Sequence, residues 1–242
     1  MSISSNEILI IIPTYNEVDN ITSLVSEIFS RYPKIHILIV DDNSHDGTKA
    51  ALIALKSQFK NLITINRKKQ LGLGSAYREG FLYAQSRKYL FVIQMDGDGS
   101  HRVEDLKKLI EAQDKYDLVV GSRYVKDGKI LGWKLSRKLI SKFGNIFSRK
   151  LLKLNTIDST SGFKRLSNNI FESHSILSSN TNGYSFQVEI IHYCERTNLH
   201  ILEIPISFID RRFGSSKFNT RIILEAFFNI IMWSINKQIK RL

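Results

Sequence analysis

Acidic residues are the scarce charge in this sequence: 23 Asp and Glu stand against 35 Lys and Arg, and the formal net charge is +12 at pH 7. An imbalance of that size calls for a polyanionic partner, whether nucleic acid, an anionic membrane surface or a phosphorylated substrate. Cysteine is scarcer still. The single Cys194 rules out an intramolecular disulfide and any zinc site built from several thiolates, which suits a reducing compartment. No apolar run is long and uninterrupted enough to span a bilayer, and Met1 to Glu7 carries no basic-then-apolar leader, so a cytoplasmic protein without a transmembrane helix is expected. With only three prolines, no internal repeat and no low-complexity linker, the chain shows no break before about residue 215. Disorder is excluded by 43% hydrophobic and 24% charged residues, ordinary usage for a folded chain.

What is present is alternation. Glu7 to Ile12 reads as a buried strand broken by Pro13, and a helix follows near Val18 to Arg31. Ile35 to Val40 and Leu62 to Ile65 read as further strands, with a helix around Ala50 to Leu55 between them. Gly72-Leu73-Gly74 opens a helix through Ala84, Tyr89 to Ile93 is the next strand, and a helix from Val103 to Gln113 leads to a strand at Leu118 to Gly121. Strand and helix in turn predict an α/β fold with a mainly parallel central sheet and helices on both faces. Gly72-Leu73-Gly74 is no dinucleotide fingerprint, because Tyr77 stands where the third glycine belongs and the motif follows the third strand.

The organising stretch is Gln94-Met95-Asp96-Gly97-Asp98-Gly99-Ser100-His101, where an apolar strand ends in two carboxylates separated by one glycine. Alone, such a triplet is a common Asp/Gly turn. Its neighbours change that reading. Asn16-Glu17 and Asp41-Asp42 end two other strands, and parallel topology gathers all three tips on one edge, where ligands of open α/β sheets bind. Carboxylates there can accept hydrogen bonds from a ribose diol or base, while a pair holding a hard cation neutralises a pyrophosphate.

Eight motifs in order carry a resemblance over nearly the whole chain: LIIIPTYNE (Leu9 to Glu17), IVDDNSHDGT (Ile39 to Thr48), GLGSAYREG (Gly72 to Gly80), QMDGDGSH (Gln94 to His101), VVGSRYVKDG (Val119 to Gly128), DSTSGFKRL (Asp158 to Leu166), GYSFQVEI (Gly183 to Ile190) and RRFGSSKF (Arg211 to Phe218). The sequence resembles family 2 glycosyltransferases of the GT-A fold, and within them the polyprenyl (dolichol) phosphate mannose synthases. The resemblance implies that Pro13, Tyr15, Glu17, Val40 and Asp42 hold the donor nucleoside. It implies that Asp96 and Asp98 bind Mg²⁺ or Mn²⁺, with the Gly97 backbone alongside. Ser100 stands where some members have a glutamine ligand, and a hydroxyl there could reach the metal directly or through water. Arg123, Arg211 and Lys217 correspond to basic residues near the reacting phosphates.

The implied reaction moves mannose from GDP-mannose onto a polyprenyl phosphate with inversion, by one in-line displacement. An acceptor that is already a phosphate anion needs no base, so His101 and His45 have no required proton-transfer role. Within the same fold, a UDP-sugar donor or a hydroxyl acceptor is the alternative. A basic nucleic-acid-binding module is the distant one; no nucleic-acid motif supports it, and the excess charge lies on helix-like segments beside large apolar residues. Two such segments are expected to lie on an anionic membrane surface, at the cytoplasmic face. One is a helix of about 132–154, with Leu135, Leu139, Phe143, Ile146, Phe147 and Leu151 on one stripe and Lys134, Lys138, Lys142, Arg149 and Lys153 on another. The other is a C-terminal helix within 216–242, after a catalytic domain of 1–215, with Ile222, Ile223, Ala226, Phe227, Ile230 and Trp233 on its stripe.

Overall fold

The computed structural model describes residues 7–211 and 220–239, with the side chains of 224–235 in the last helix. Its first half is β1 (Ile8–Thr14), α1 (Val18–Arg31), β2 (His36–Asp41), α2 (Thr48–Gln58), β3 (Leu62–Asn66), α3 (Leu73–Ser86), β4 (Phe91–Gln94) and α4 (Val103–Ile110). The second is β5 (Leu118–Ser122), β6 (Lys129–Leu131), α5 (Leu135–Leu152), β7 (Lys164–Ser167), α6 (Asn168–Phe171), α7 (His174–Leu177), α8 (Gly183–Arg196), β8 (Ile201–Pro205), β9 (Ser207–Ile209) and α9 (Thr220–Ile239). Seven strands form one sheet in the order β3-β2-β1-β4-β7-β5-β8, and β6 pairs with β9 in a small parallel ribbon.

Strand alternation explains how the sheet is buried on both faces. Ile8, Ile10 and Ile12 of β1 join Ile37 and Ile39 of β2 in a core closed by Ile21, Val25 and Leu106 of α1 and α4. Leu9 and Ile11 point the other way, into a core with Tyr77, Phe81 and Phe186 of α3 and α8. The expected α/β architecture is therefore present, with one feature the alternation did not reveal. The segment Phe163-Lys164-Arg165-Leu166 has too much charge to read as a strand, yet β7 lies between β4 and β5 and runs antiparallel to both. Lys164 and Arg165 are fully buried there, each with carbonyl acceptors: Lys164 donates to Gln187, Arg165 to Ala112 and Gln113.

Pro13 does not break β1, which continues to Thr14. The carbonyls of Ile11 and Thr14 show why. Ile11 bonds toward β4 and Thr14 toward β2, so the N–H that Pro13 lacks would point to the β4 side, beyond the last β1–β4 pair at Ile11↔Gln94. Two glycines let α3 lie close: a Cβ at Gly80 would meet Ile11 at 2.7 Å, and one at Gly74 would meet the Thr181 carbonyl at 2.3 Å.

The C-terminal helix needs a correction. Of the stripe expected on its outer face, Ile222 and Ile223 have side chains outside the described residues, and the others pack inward: Ala226 and Ile230 are buried, Trp233 stacks on His192 of α8, and Phe227 packs on Phe147 of α5. Its exposed face is a second apolar row, Leu224, Phe228, Ile231 and Ile235. On α5 the expected stripe is exposed at Leu135, Leu139, Phe143, Ile146 and Leu151, while Phe147 turns in.

Candidate active site

One antiparallel strand in a parallel sheet has a local consequence. β1, β2, β4 and β5 all end at the same edge, and β7 begins there, so the residues before it, Asp158 to Gly162, join the strand tips. A cavity of about 370 Å³ opens at this edge.

Side chains bonded to backbone staple the first two tips together. The N–H groups of Asn16, Glu17 and Val18 donate to Ser44, Thr48 and Asp46 at 2.8, 3.0 and 3.1 Å, so the second loop caps the first turn of α1. Asn16 and Asn43 hold left-handed backbone at φ 53° and 66°, which Asn tolerates better than most residues. Asp41 is fully buried and accepts from Ser44, so it shapes the loop and does not face the cavity. Asp42 does line it. Its oxygens accept from Arg67 (3.0 Å), the Leu71 N–H (2.9 Å) and the Gly72 N–H (2.8 Å), fixing the loop that carries Gln70 to the cavity wall.

Pro13, Tyr15, Glu17 and Asp42 line the cavity at this end, and Asp96, Gly97 and Asp98 form its middle. The Asp96 N–H donates to Nδ1 of His101 at 3.0 Å. That bond uses the imidazole's one lone pair, and burial holds the His101 pKa below its ordinary value, so the ring is neutral with its proton on Nε2, 3.8 Å from Asp96. His101 stacks on Phe163 at 4.8 Å and acts as a fixed prop beneath Asp96. The Asp96 carboxyl is pushed above the usual carboxylate range by burial, with the Asp98 charge adding to the effect. Asp98 accepts the Ser100 N–H at 3.0 Å and lies 3.4 Å from Arg211.

A divalent cation fits this arrangement. Two carboxylates at a strand end suffice for a hard ion that shares its sphere with phosphate and water, and Ser100 Oγ, buried without a protein partner, is a candidate third oxygen. Among the described residues no cluster of three or more His, Cys, Asp and Glu converges.

Three arginines also line the cavity. Arg123, at the exit of β5, is buried and gripped by Asp158, which accepts its Nε at 2.8 Å and its Nη2 at 2.7 Å, while Thr160 accepts Nη2 at 2.8 Å. Asp158 is itself set by Glu203, which accepts the backbone N–H groups of Ile157 and Asp158. Arg137, from the first turn of α5, lies 4.1 Å over the Trp133 ring and pairs with Asp210 at 2.6 Å. Arg211 follows Asp210 directly.

Among the expected site residues, Pro13, Tyr15, Glu17, Asp42, Asp96, Gly97, Asp98, Arg123 and Arg211 share the cavity. Val40 does not: its side chain is fully buried in the core, because strand alternation turns it toward α3. Ser100 lies behind the wall, and Lys217 lies outside the described residues. Sequence reasoning missed Arg137, Trp133, Tyr184 and Gln187, all of which line the cavity. Trp133 and Arg137 stand four apart at a helix start, a spacing that could have flagged them. Gln187 and Tyr184 gave no signal beyond their place in a motif.

Comparisons with known proteins identify the family. The family model described as "Glycosyl transferase family 2" matches residues 9–174. The chain is 36% identical over 235 residues to a polyprenol monophosphomannose synthase of Mycolicibacterium smegmatis, covering 96% of this chain and 89% of that protein. It is also 36% identical over 228 residues to an undecaprenyl-phosphate mannosyltransferase of Micrococcus luteus, covering 94% of each. Among solved structures, a mannosyltransferase from Pyrobaculum calidifontis in complex with GDP-Man and Mn²⁺ matches with a TM-score of 0.56 at 15% identity, over 95% of this chain and 73% of that one.

Proposed function

The chain belongs to glycosyl transferase family 2, and from that premise we propose that it moves mannose from GDP-mannose to a polyprenyl phosphate, with inversion, at the cytoplasmic face of a membrane. The observation that carries this reading is the lining of one cavity: strand-tip carboxylates, three arginines of which Arg211 lies 3.4 Å from Asp98, and an apolar groove that leads away past Arg137. That groove, about 80 Å³ between α5, α8 and α9, shares Trp133, Arg137, Thr160 and Tyr184 with the main cavity and continues along Phe143, Phe147 and Phe227. An anionic head on a hydrocarbon chain matches such a junction.

Glu17 and Asp42 face the nucleoside. Asp96 and Asp98 would hold Mg²⁺ or Mn²⁺, with Ser100 in reserve, and the ion would supply charge neutralisation for the departing diphosphate. Arg211, beside Asp98, and Arg123 add fixed positive charge at the same centre. Arg137 stands at the mouth of the groove, where the acceptor phosphate would arrive. Because that oxygen is already anionic, the work is positioning and electrostatics, which agrees with a His101 whose lone pair is committed.

Membrane association rests on the exposed apolar rows of α5 and α9, where Leu135 is 72%, Phe143 58%, Leu224 68% and Phe228 63% exposed. Phe227 of α9 packs on Phe143 and Phe147 of α5, so the rows are neighbours, with Lys134, Lys142 and Lys150 exposed among them. No helix among the described residues is long and apolar enough to cross a membrane. The test is incubation with labelled GDP- and UDP-sugars and a polyprenyl phosphate, with and without chelator, followed by counting of the lipid phase. Metal-dependent label in lipid from GDP-mannose is expected. Label from a UDP-sugar alone would replace the donor, and label only in a hydroxyl acceptor would replace the acceptor.

A further inference from the structure

Beside Asp96 the cavity has a short floor, made where α3, the start of β7 and α8 meet. Ala76 and Gly162 leave it open, a Cβ at Gly162 already coming within 3.3 Å of Asp96. Gln187 is the polar side chain in this floor. It is 3% exposed, it lines the cavity, and its Nε2 is buried with no protein partner. An unpaired buried donor is destabilising, so its retention beside a cavity points to a ligand that completes it.

Lys164 settles which way this amide faces. Its ammonium, fully buried in β7, donates to Gln187 Oε1 at 2.7 Å and to the Gln187 backbone carbonyl at 2.9 Å. The observed amide gives that donor an acceptor, whereas a flipped one would turn its own NH₂ donors toward it. The oxygen is thus held on the lysine side, and the NH₂, without a protein partner, is the free end of a side chain that lines the cavity. Burial lowers the Lys164 pKa to about 7. Neither residue belongs to the carboxylate or arginine groups.

We propose that the Gln187 carboxamide reads the hexose of the donor, its Nε2 donating to a sugar hydroxyl, and that Lys164 is the positioning residue that fixes the orientation of that amide. The inference rests on the transferase reading above. A sugar joined to a diphosphate at Asp96 and Asp98, and open to attack from the Arg137 side where the apolar groove begins, lies against this floor.

The experiment uses the full chain, the nucleotide sugar that the wild type consumes best, and its monodeoxy analogues. Gln187→Glu is nearly isosteric, keeps an acceptor for Lys164 and exchanges the donating NH₂ for a carboxylate oxygen, whose added charge the uncharged double variant Lys164→Met/Gln187→Leu controls for. Transfer from the parent donor should fall about tenfold or more, while inhibition by the free nucleoside diphosphate, which has no sugar, stays within about twofold. One monodeoxy analogue, already poor with wild type, should lose nothing further in the variant. Lys164→Met should blunt the same discrimination, and the double variant Lys164→Met/Gln187→Leu, which strands no charge, should behave like Gln187→Glu while melting as a folded protein. Equal deoxy penalties in wild type and Gln187→Glu overturn the reading of Gln187, and full discrimination in a folded Lys164→Met overturns the role of Lys164. A wild type that consumes no nucleotide sugar overturns the transferase reading itself and this inference with it.

Discussion

The two halves of the molecule hold their site residues by different means. From β1 to α4 the functional side chains sit on strand tips whose loops are stitched by hydrogen bonds from backbone N–H groups to Ser44, Asp46, Thr48 and Asp42. From β5 onward they are long cationic side chains pinned by distant carboxylates, Arg123 by Asp158 and Arg137 by Asp210, and both halves meet where Arg211 approaches Asp98. The first arrangement builds a rigid cradle from the sheet itself, which the proposed function assigns to the nucleotide. The second places charge at the mouth of an apolar groove and leaves two apolar helix rows outside. In the proposed reading, donor and acceptor recognition overlap at Arg123, Arg211 and Gln187 but part at Asp98 and Arg137, so a variant at either of these two positions should spare the other's ligand.

The strongest test strikes the donor half. Asp98→Ala should lower turnover by about a thousandfold or more, since it removes a charge at the developing diphosphate. Its melting temperature should stay near wild type, because Asp98 sits at a cavity and outside both cores. Calorimetry should show weak Mn²⁺ binding with nucleotide; undiminished binding would remove Asp98 from the ligand set.

The matching variant in the other half is Arg137→Ala. A drop of about ten- to a hundredfold in kcat/KM for the lipid acceptor is expected, with nucleoside diphosphate inhibition unchanged. Equal weakening of both ligands would break the separation of the halves. Arg137→Lys should recover little, because an ammonium cannot both stack on Trp133 and pair with Asp210 as the planar guanidinium does.

Smaller in chemistry, but sharper for location, is the outer face of α9. Leu224→Ser/Phe228→Ser/Ile231→Ser changes exposed side chains only. Co-sedimentation with anionic liposomes at low salt should fall by about tenfold or more, since each of the three side chains contributes about 1.5–3 kcal/mol when fully buried in the bilayer, while transfer to a short water-soluble acceptor is retained. The mirror substitution of Ala226 and Ile230, which face the core, should lower the melting temperature instead. If the outer triple variant still pellets with liposomes like wild type, the rows are not the membrane contact.

The difference between the halves also decides what could be read in advance. The first four strands and their helices were legible because each strand is a short apolar run ending in a carboxylate or amide, and period alone separates it from the next helix. Asp42, Asp96 and Asp98 came with them. The second half resisted for two reasons. β7 hides its strand character because Lys164 and Arg165 are buried through acceptors 23 and 52 or more residues away, a solution that no local pattern displays. The stripe on α9 was misassigned because that helix is apolar on two sides, and composition cannot say which side meets α8. Arg137 was passed over among its lysine neighbours for the same reason: what singles it out is Asp210, 73 positions on.

The smallest expected effect concerns that buried lysine and turns on sign. Lys164 titrates at about 7 in the folded protein against 10.5 as its ordinary value, the shift being caused chiefly by burial. Below pH 7 it is protonated in both states, and the cost of burying the ammonium is present in full. As pH rises from about 7 to 10.5 the folded state gives up its proton first, the unfolded state binds more protons, and stability increases. Stability gained in this window is lost again as pH falls back through 7. Lys164→Met has no such group, so wild type should gain melting temperature relative to the variant across this interval, by about 2–4 °C for each kcal/mol of penalty relieved. Taking the difference between the two proteins cancels every other group that titrates there. Parallel profiles for wild type and Lys164→Met would mean that Gln187 fully compensates the buried charge, and the second half would then hold its lysine as firmly as the first holds its carboxylates.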